Sequence, residues 1–263
     1  MEYKLENSQI RSGSFFLVQV FGRPQNIYHL VCLHEPDMGE IIDNPRLREH
    51  RFVFSDRHDA GQQLGAFIKR LPCTSNPLVL AIPAGGVPIG AEVAKALGAP
   101  FSVAIVRKIR IPGTTESGFG AVTWDGRVLI NERLRTALGL SDNDVELAIA
   151  ATQDNVTERV ALFTGRNPVP EIPGKTVILT DDGLASGFTM LAAVQGIRFH
   201  KPAQILVAVP TASLSSAELV AREADVVACL NIRSGHSFAV ADAYREWHDL
   251  NDKEVIEELA NIP

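Results

Sequence analysis

The chain has 263 residues, 46% of them apolar, which is enough for one large α/β core or for one core with a small appendage. Its formal charge of -6, from 25 basic and 31 acidic residues with histidine neutral, leaves no electrostatic footprint for general nucleic-acid binding. Apolar runs fall well short of the roughly 20 residues that cross a bilayer, and MEYKLENSQIRSGS lacks an apolar signal core, so a soluble cytoplasmic protein without membrane association is expected.

Residues 1–50 read as a β-rich N-terminal extension. FFLVQVF (15–21) and IYHLVCL (27–33) are short β-prone runs separated by GRPQN, the pattern of a hairpin, and HEPDMGEIIDNPRLREH reads as a polar connection. This extension is the segment available for a partner or for homo-oligomer contacts. Cys32, Cys73 and Cys229 form no CxxC pair, so reduced structural cysteines are expected.

From residue 51 onward helices alternate with buried strands. Ser55 or Asp56 predicts the cap of a helix reaching about Arg70, with Leu64, Phe67, Ile68 and Leu71 on one side. PLVLAIP (77–83) predicts a strand, followed by AGGVPIG and a helix through about Leu97. FSVAIVRKI (101–109), apolar until Arg107, predicts one strand buried on both faces. RIPGTTESGFGA breaks the rhythm with Gly113, Gly118 and Gly120 and predicts a flexible loop over 109–123. VTWDGRVLI then predicts a hairpin turning at Asp125-Gly126. Ser141 predicts the cap of a long helix with Val145, Ala148, Ile149, Thr152, Val156 and Val160 near helical spacing. KTVILTDD, AQILVAVP and ADVVACL are further buried strands, with a helix starting near Gly187 and a last one capped by Asn251 or Asp252. This alternation predicts an open, mostly parallel sheet flanked by helices.

The chemistry concentrates in Thr180 to Thr189, TDDGLASGFT, which follows a buried strand and opens a helix. Ligands of parallel sheets collect beyond the carboxyl ends of strands, and a glycine turn into a helix offers backbone N–H groups to an anion. Ser186 and Thr189 add hydroxyls. Asp181 and Asp182 repel each other and invite a counter-charge or a donor, which a magnesium ion or a ribose diol supplies. Carboxylates beside a phosphate cradle suit a sugar phosphate better than free phosphate.

Other chemistries fit poorly. Gly174-Lys175-Thr176 resembles the end of a nucleotide P-loop, but Val169 stands where its first glycine belongs and the segment precedes a strand. The seven histidines show no compelling metal spacing, and Ser213, Ser215 and Ser216 lack a nucleophile-elbow context. Tyr244 and Trp247 fit one helical face; core or interface packing is weighed there against a cover over a base.

VILTDDGLASGFTM resembles the phosphoribosyl-diphosphate signature of type I phosphoribosyltransferases. VLAIPAGGVPIGAEVAKALGAPFSVAIVRKI, FSDRHDAGQQLGAFI and SFAVADAYREWHDLNDKEVIEEL extend the likeness over residues 51–263. The resemblance implies that Asp181 and Asp182 meet the ribose hydroxyls and hold Mg2+. It implies a 5-phosphate wrapped by Ala185, Ser186, Gly187, Phe188 and Thr189, and a diphosphate loop at Ala84, Gly85 and Gly86. Ala84 stands where this branch commonly has Arg, so Lys108 is the expected diphosphate cation, with Arg107 open between a second such cation and a structural ion pair. Glu116, on the loop resembling an active-site hood, is a candidate to steer the acceptor or to hold Mg2+ through water, with a solvated loop carboxylate as the alternative. The implied activity is Mg2+-dependent transfer of ribose 5-phosphate from phosphoribosyl diphosphate to a nitrogenous base or amine. The alternative is a non-catalytic sensor of a nucleotide or sugar phosphate. Ala185, where 6-oxopurine enzymes carry an acid, argues against that acceptor class.

Overall fold

The computed structural model describes residues 38–72, 75–111, 118–164, 170–235 and 237–262, with the backbone of three earlier strands. Those are β1 (Tyr3–Asn7), β2 (Phe15–Val20) and β3 (Ile27–Cys32). Then come β4 (Glu40–Asp43), α1 (Arg57–Ile68), β5 (Pro77–Ala81), α2 (Gly86–Leu97) and β6 (Phe101–Val103). A run of β7 (Val106–Arg110), β8 (Gly118–Thr123) and β9 (Val128–Ile130) precedes α3 (Glu132–Ala137) and the long α4 (Asp142–Thr164). The remainder is β10 (Thr176–Thr180), α5 (Phe188–Arg198), β11 (Gln204–Ser213), α6 (Leu214–Ala221), β12 (Val226–Arg233) and α7 (Asp252–Ala260).

The chain divides into two compact units, each made from two stretches: 1–37 with 105–161, and 38–104 with 162–263. The first unit holds a sheet in the order β1-β2-β3-β9-β8-β7, antiparallel except where β3 meets β9. Its hairpin turns at Asp125-Gly126 as expected, with Gly126 at φ 79°, a conformation that glycine adopts without a Cβ clash. Ser141 accepts from the Asp144 N–H at 3.2 Å and starts α4, whose Val145, Ile149 and Val156 are buried.

The second unit is the open parallel sheet that the alternation predicts, in the order β4-β12-β11-β10-β5-β6. Every residue of β10, TVILT, is buried, as a strand covered on both faces requires. Ile178, Leu206 and Ala208 pack with Leu64, Ile68, Ile89 and Val93 from α1 and α2. By strand alternation Val177 and Leu179 point to the opposite face, and they are equally buried. Removing a side chain from such a core, as in Ile178→Ala, costs about 2–5 kcal/mol. Asp56 rather than Ser55 caps α1, accepting from the Asp59 N–H at 2.8 Å, and Asn251 closes a capping box on α7.

Four expectations change. FSVAIVRKI is two strands in two sheets: Ala104 still donates to Ala81 O at 2.8 Å, but β5 ends there and Ile82 turns to bond Thr180 O. With no neighbour left on that edge, the chain continues as β7 against β8. The ends of the expected 109–123 loop are therefore paired strand; residues 112–117, including Glu116, lie outside the described residues. The polar connection before residue 50 contains β4, a parallel edge strand on β12. The composition shift predicts a boundary at residue 50, whereas the first unit joins residues 1–37 with 105–161 and the second begins at 38.

Candidate functional site

The second unit places the acidic pair at the carboxyl end of its central strand. β10 stops at Thr180, while neighbouring β11 runs on to Ser213 and supports the turn that follows. Leu184 donates to Thr211 O at 3.0 Å, and Ser213 donates back to Leu184 O at 3.2 Å. The Ser216 hydroxyl donates to Ala185 O, and the Ser213 hydroxyl approaches the same oxygen at 3.4 Å. Ala185 and Ser186 are left exposed. Gly187 then takes φ 73°, in the left-handed region open to glycine, and caps α5 without a side chain. Leu191 closes the first helical turn on Gly187 O at 2.8 Å, and the amides before it form the electropositive end of α5. Phe188 is 57% exposed at that end, and Thr189 is half-buried.

The glycine turn after β5 meets this acidic turn directly. A Cβ on Gly85 would lie 1.8 Å from Asp182 Oδ2, and one on Gly86 would lie 2.6 Å from Thr180 O. Gly86 is thus required by close approach of backbone, and Gly85 leaves room for the Asp182 carboxylate. The turn Pro83-Ala84-Gly85-Gly86 contains a cis peptide between Pro83 and Ala84 and no charged side chain. Asp181 accepts from the Asp182 N–H at 2.9 Å, and among the described residues no basic side chain ion-pairs with it. Dense surrounding protein, and then the neighbouring Asp182 charge, push the Asp181 carboxyl well above the ordinary carboxylate range. Burial raises Asp182 as well, against the opposing pull of Arg57.

Arg57 is the residue that pattern reading misses. The first residue of α1, it places two nitrogens on Asp182 Oδ2, Nε at 3.0 Å and Nη2 at 2.9 Å, and donates from Nη1 to His248 O at 2.9 Å. Its guanidinium stacks on Trp247 at 3.9 Å from the ring centroid. Arg245 and Glu246 donate to Phe54 O and Ser55 O, each at 2.9 Å, which holds Trp247 and His248 beside the start of α1. Tyr244 is buried, packs at 5.6 Å from Phe54 and 5.0 Å from Trp247, and donates its hydroxyl to Asp182 O at 2.6 Å. Tyr244 and Trp247 do not share a helical face: a 3-10 turn ends at Ala243 and the chain is extended at Tyr244. One signal for Arg57 was available, because a cation in the first turn of a helix opposes the helix dipole and needs a partner elsewhere.

Residues 66–244 match the model of the phosphoribosyl transferase domain family. The chain belongs to the type I phosphoribosyltransferase family. A Mycobacterium tuberculosis protein provisionally named a phosphoribosyl transferase is 34% identical over 205 residues, 78% of this chain. This chain spans about half, 46%, of that relative's length. A crystal structure from Thermus thermophilus is 32% identical, with a TM-score of 0.69, over 81% of this chain and 99% of that one.

The two sequence-expected cations of this phosphoribosyltransferase-family chain are not at the end of a parallel strand. Arg107 and Lys108 lie on β7 in the antiparallel sheet of the first unit, and Arg107 donates to Asn155 Oδ1 at 3.1 Å. Among the described residues no group of three or more His, Cys, Asp or Glu side chains is arranged around a metal position. The acidic pair still suits a cation, since a divalent ion at Asp181 would relieve a carboxyl crowded by protein and by its neighbour.

Proposed function

We propose that this chain transfers ribose 5-phosphate from phosphoribosyl diphosphate to a nitrogenous base or amine, releasing diphosphate. The observation that carries this reading is the acidic pair at the end of β10, pressed against Gly85 of the adjacent turn and followed by the glycine-capped start of α5. In it, the α5 amides with the Ser186 and Thr189 hydroxyls hold the 5-phosphate, and Ala185, Gly187 and Phe188 contribute the backbone of the cradle. Asp181 and Asp182 accept hydrogen bonds from the ribose hydroxyls, fixing C1 for attack. The backbone of Ala84, Gly85 and Gly86 lines the diphosphate end.

Transfer breaks the C1–O bond to diphosphate, which leaves with the bonding electrons. The acceptor nitrogen supplies the pair for the new C1–N bond, with inversion, and sheds its proton. No protein nucleophile is needed; positioning and charge stabilisation supply the catalysis. Mg2+, held by Asp181 and Asp182, would contribute charge to the departing diphosphate. Lys108, Arg107 and Glu116 enter this reading on the sequence resemblance alone.

Purified protein mixed with phosphoribosyl diphosphate, Mg2+ and a panel of bases and amines is expected to release diphosphate in an acceptor-dependent way. One observation favours a second reading: the turn at Ala84 carries no fixed cation for a leaving group. Tight donor binding with no release for any acceptor would establish that reading, a non-catalytic sensor of a nucleotide or sugar phosphate. Absence of calorimetric binding of phosphoribosyl diphosphate and of nucleotides alike would overturn both.

A further inference from the structure

Resting on the sugar-phosphate reading above, we propose that Arg57 is a positioning residue for the sugar: it clamps one oxygen of Asp182 so that the other is presented to a ribose hydroxyl. Each face of its guanidinium environment is accounted for. Nε and Nη2 converge on Asp182 Oδ2, Nη1 is tied to His248 O, and the plane rests on Trp247. The side chain is 8% exposed, against 15% for Asp182. A planar fork held on three sides has little freedom, and it transmits that rigidity to the carboxyl it grips.

Its position supports a functional demand over a generic one. At the first residue of α1 a cation is disfavoured by the helix dipole, and α1 already has its cap in Asp56. The Arg57 nitrogens reach across to an acid 125 residues away, on the turn that follows β10. Both Asp182 oxygens face the glycine turn, a Cβ on Gly85 falling 1.8 Å from Oδ2 and 3.1 Å from Oδ1, but only Oδ2 is also gripped by Arg57. In the proposal Oδ1, which Arg57 does not hold, is the oxygen offered to the ligand. Asp181, which shares the ligand-facing strand end, has no such clamp among the described residues. The two acids are therefore unequal: one is locked in orientation and charge-compensated, the other is left for a donor or a cation. Arg57 acts through Asp182 and does not itself touch the sugar.

The test is calorimetry of the full chain with ribose 5-phosphate, 2,3-dideoxyribose 5-phosphate and inorganic phosphate, alongside melting temperatures. The wild type is expected to prefer ribose 5-phosphate over the dideoxy sugar. In Arg57→Met that preference narrows by about tenfold, the value of one well-placed hydrogen bond to a charged group, while the Kd for inorganic phosphate is unchanged. Arg57→Lys keeps the charge without the fork and is expected to fall between the two. A folded Arg57→Met with the wild-type preference would overturn the proposal, as would equal losses for all three ligands, which mark a structural role. If Arg57→Met does not fold, Trp247→Leu, which removes the stacking face, carries the same test: a narrowed preference supports the clamp and an intact one overturns it. A wild type without any preference for the ribose hydroxyls removes the underlying sugar-phosphate reading, and the clamp with it, before any variant is made.

Discussion

Two turns of the parallel sheet invite comparison, the one after β5 and the one after β10. Both leave the carboxyl end of a strand, both contain glycine and both open a helix, and they touch through Gly85 and Asp182. Yet Pro83 to Gly86 carries no charge, whereas the turn after β10 carries two acids and has drawn in an arginine from a third element. Equivalent places in a sheet thus impose the same backbone solution, a glycine approach to a helix N-terminus, and leave charge to be set separately. In the proposed reaction these are the two ends of one donor molecule, with the sugar end furnished by side chains and the diphosphate end by backbone.

Four substitutions break or sharpen that contrast. Asp182→Asn, the most severe for binding, removes the charge that Arg57 grips and is expected to abolish measurable ribose 5-phosphate binding in calorimetry. Gly85→Ala drives the Asp182 carboxylate from its place beside Arg57; a decrease of about 1–3 kcal/mol and weaker sugar-phosphate binding are expected, and an unaffected Kd would mean that this contact is unimportant to the site.

Asp181→Asn acts in the opposite direction on stability. A carboxyl whose folded pKa lies above its ordinary 3.8 favours folding most when protonated, and that contribution is lost as pH rises from about 3.8 through the raised folded value. The ligand-free variant is therefore expected to be more stable than wild type at neutral pH, by about 0.5–2 kcal/mol, to converge with it below pH about 4, and to lose ligand binding. Equal stability at neutral pH would show that Asp181 carries no such strain. The smallest effect is expected from Ala84→Arg, which adds charge to the bare turn. It should tighten phosphoribosyl diphosphate by two- to fivefold, about 0.5–1 kcal/mol, and leave ribose 5-phosphate unchanged.

The turn after β10 was legible because its determinants are contiguous: a buried strand, two acids and Gly187 occupy adjoining positions in the chain. The helices announced themselves similarly, through Asp56, Ser141 and Asn251 at their starts. Arg57 was hidden because its meaning depends on Asp182, which no local spacing connects to it. FSVAIVRKI misled for a related reason, since an apolar run reports burial and not which partner strand is present. That partner ended at Ala81, a fact of three-dimensional pairing. Tyr244 and Trp247 illustrate the same limit: three residues apart suggests a helix face, but the bridge between Phe54 and Tyr244 makes that segment extended.

The edge strand β4 has a practical consequence. A fragment begun at residue 51, where the change in composition suggests a cut, would strip Glu40 to Asp43 from β12 and expose the backbone of Val226 to Cys229 along an open edge. Unprotected edges of that kind recruit other chains. Truncation there is expected to yield a sticky, self-associating product, whereas retaining residues 38–50 keeps that edge of β12 covered.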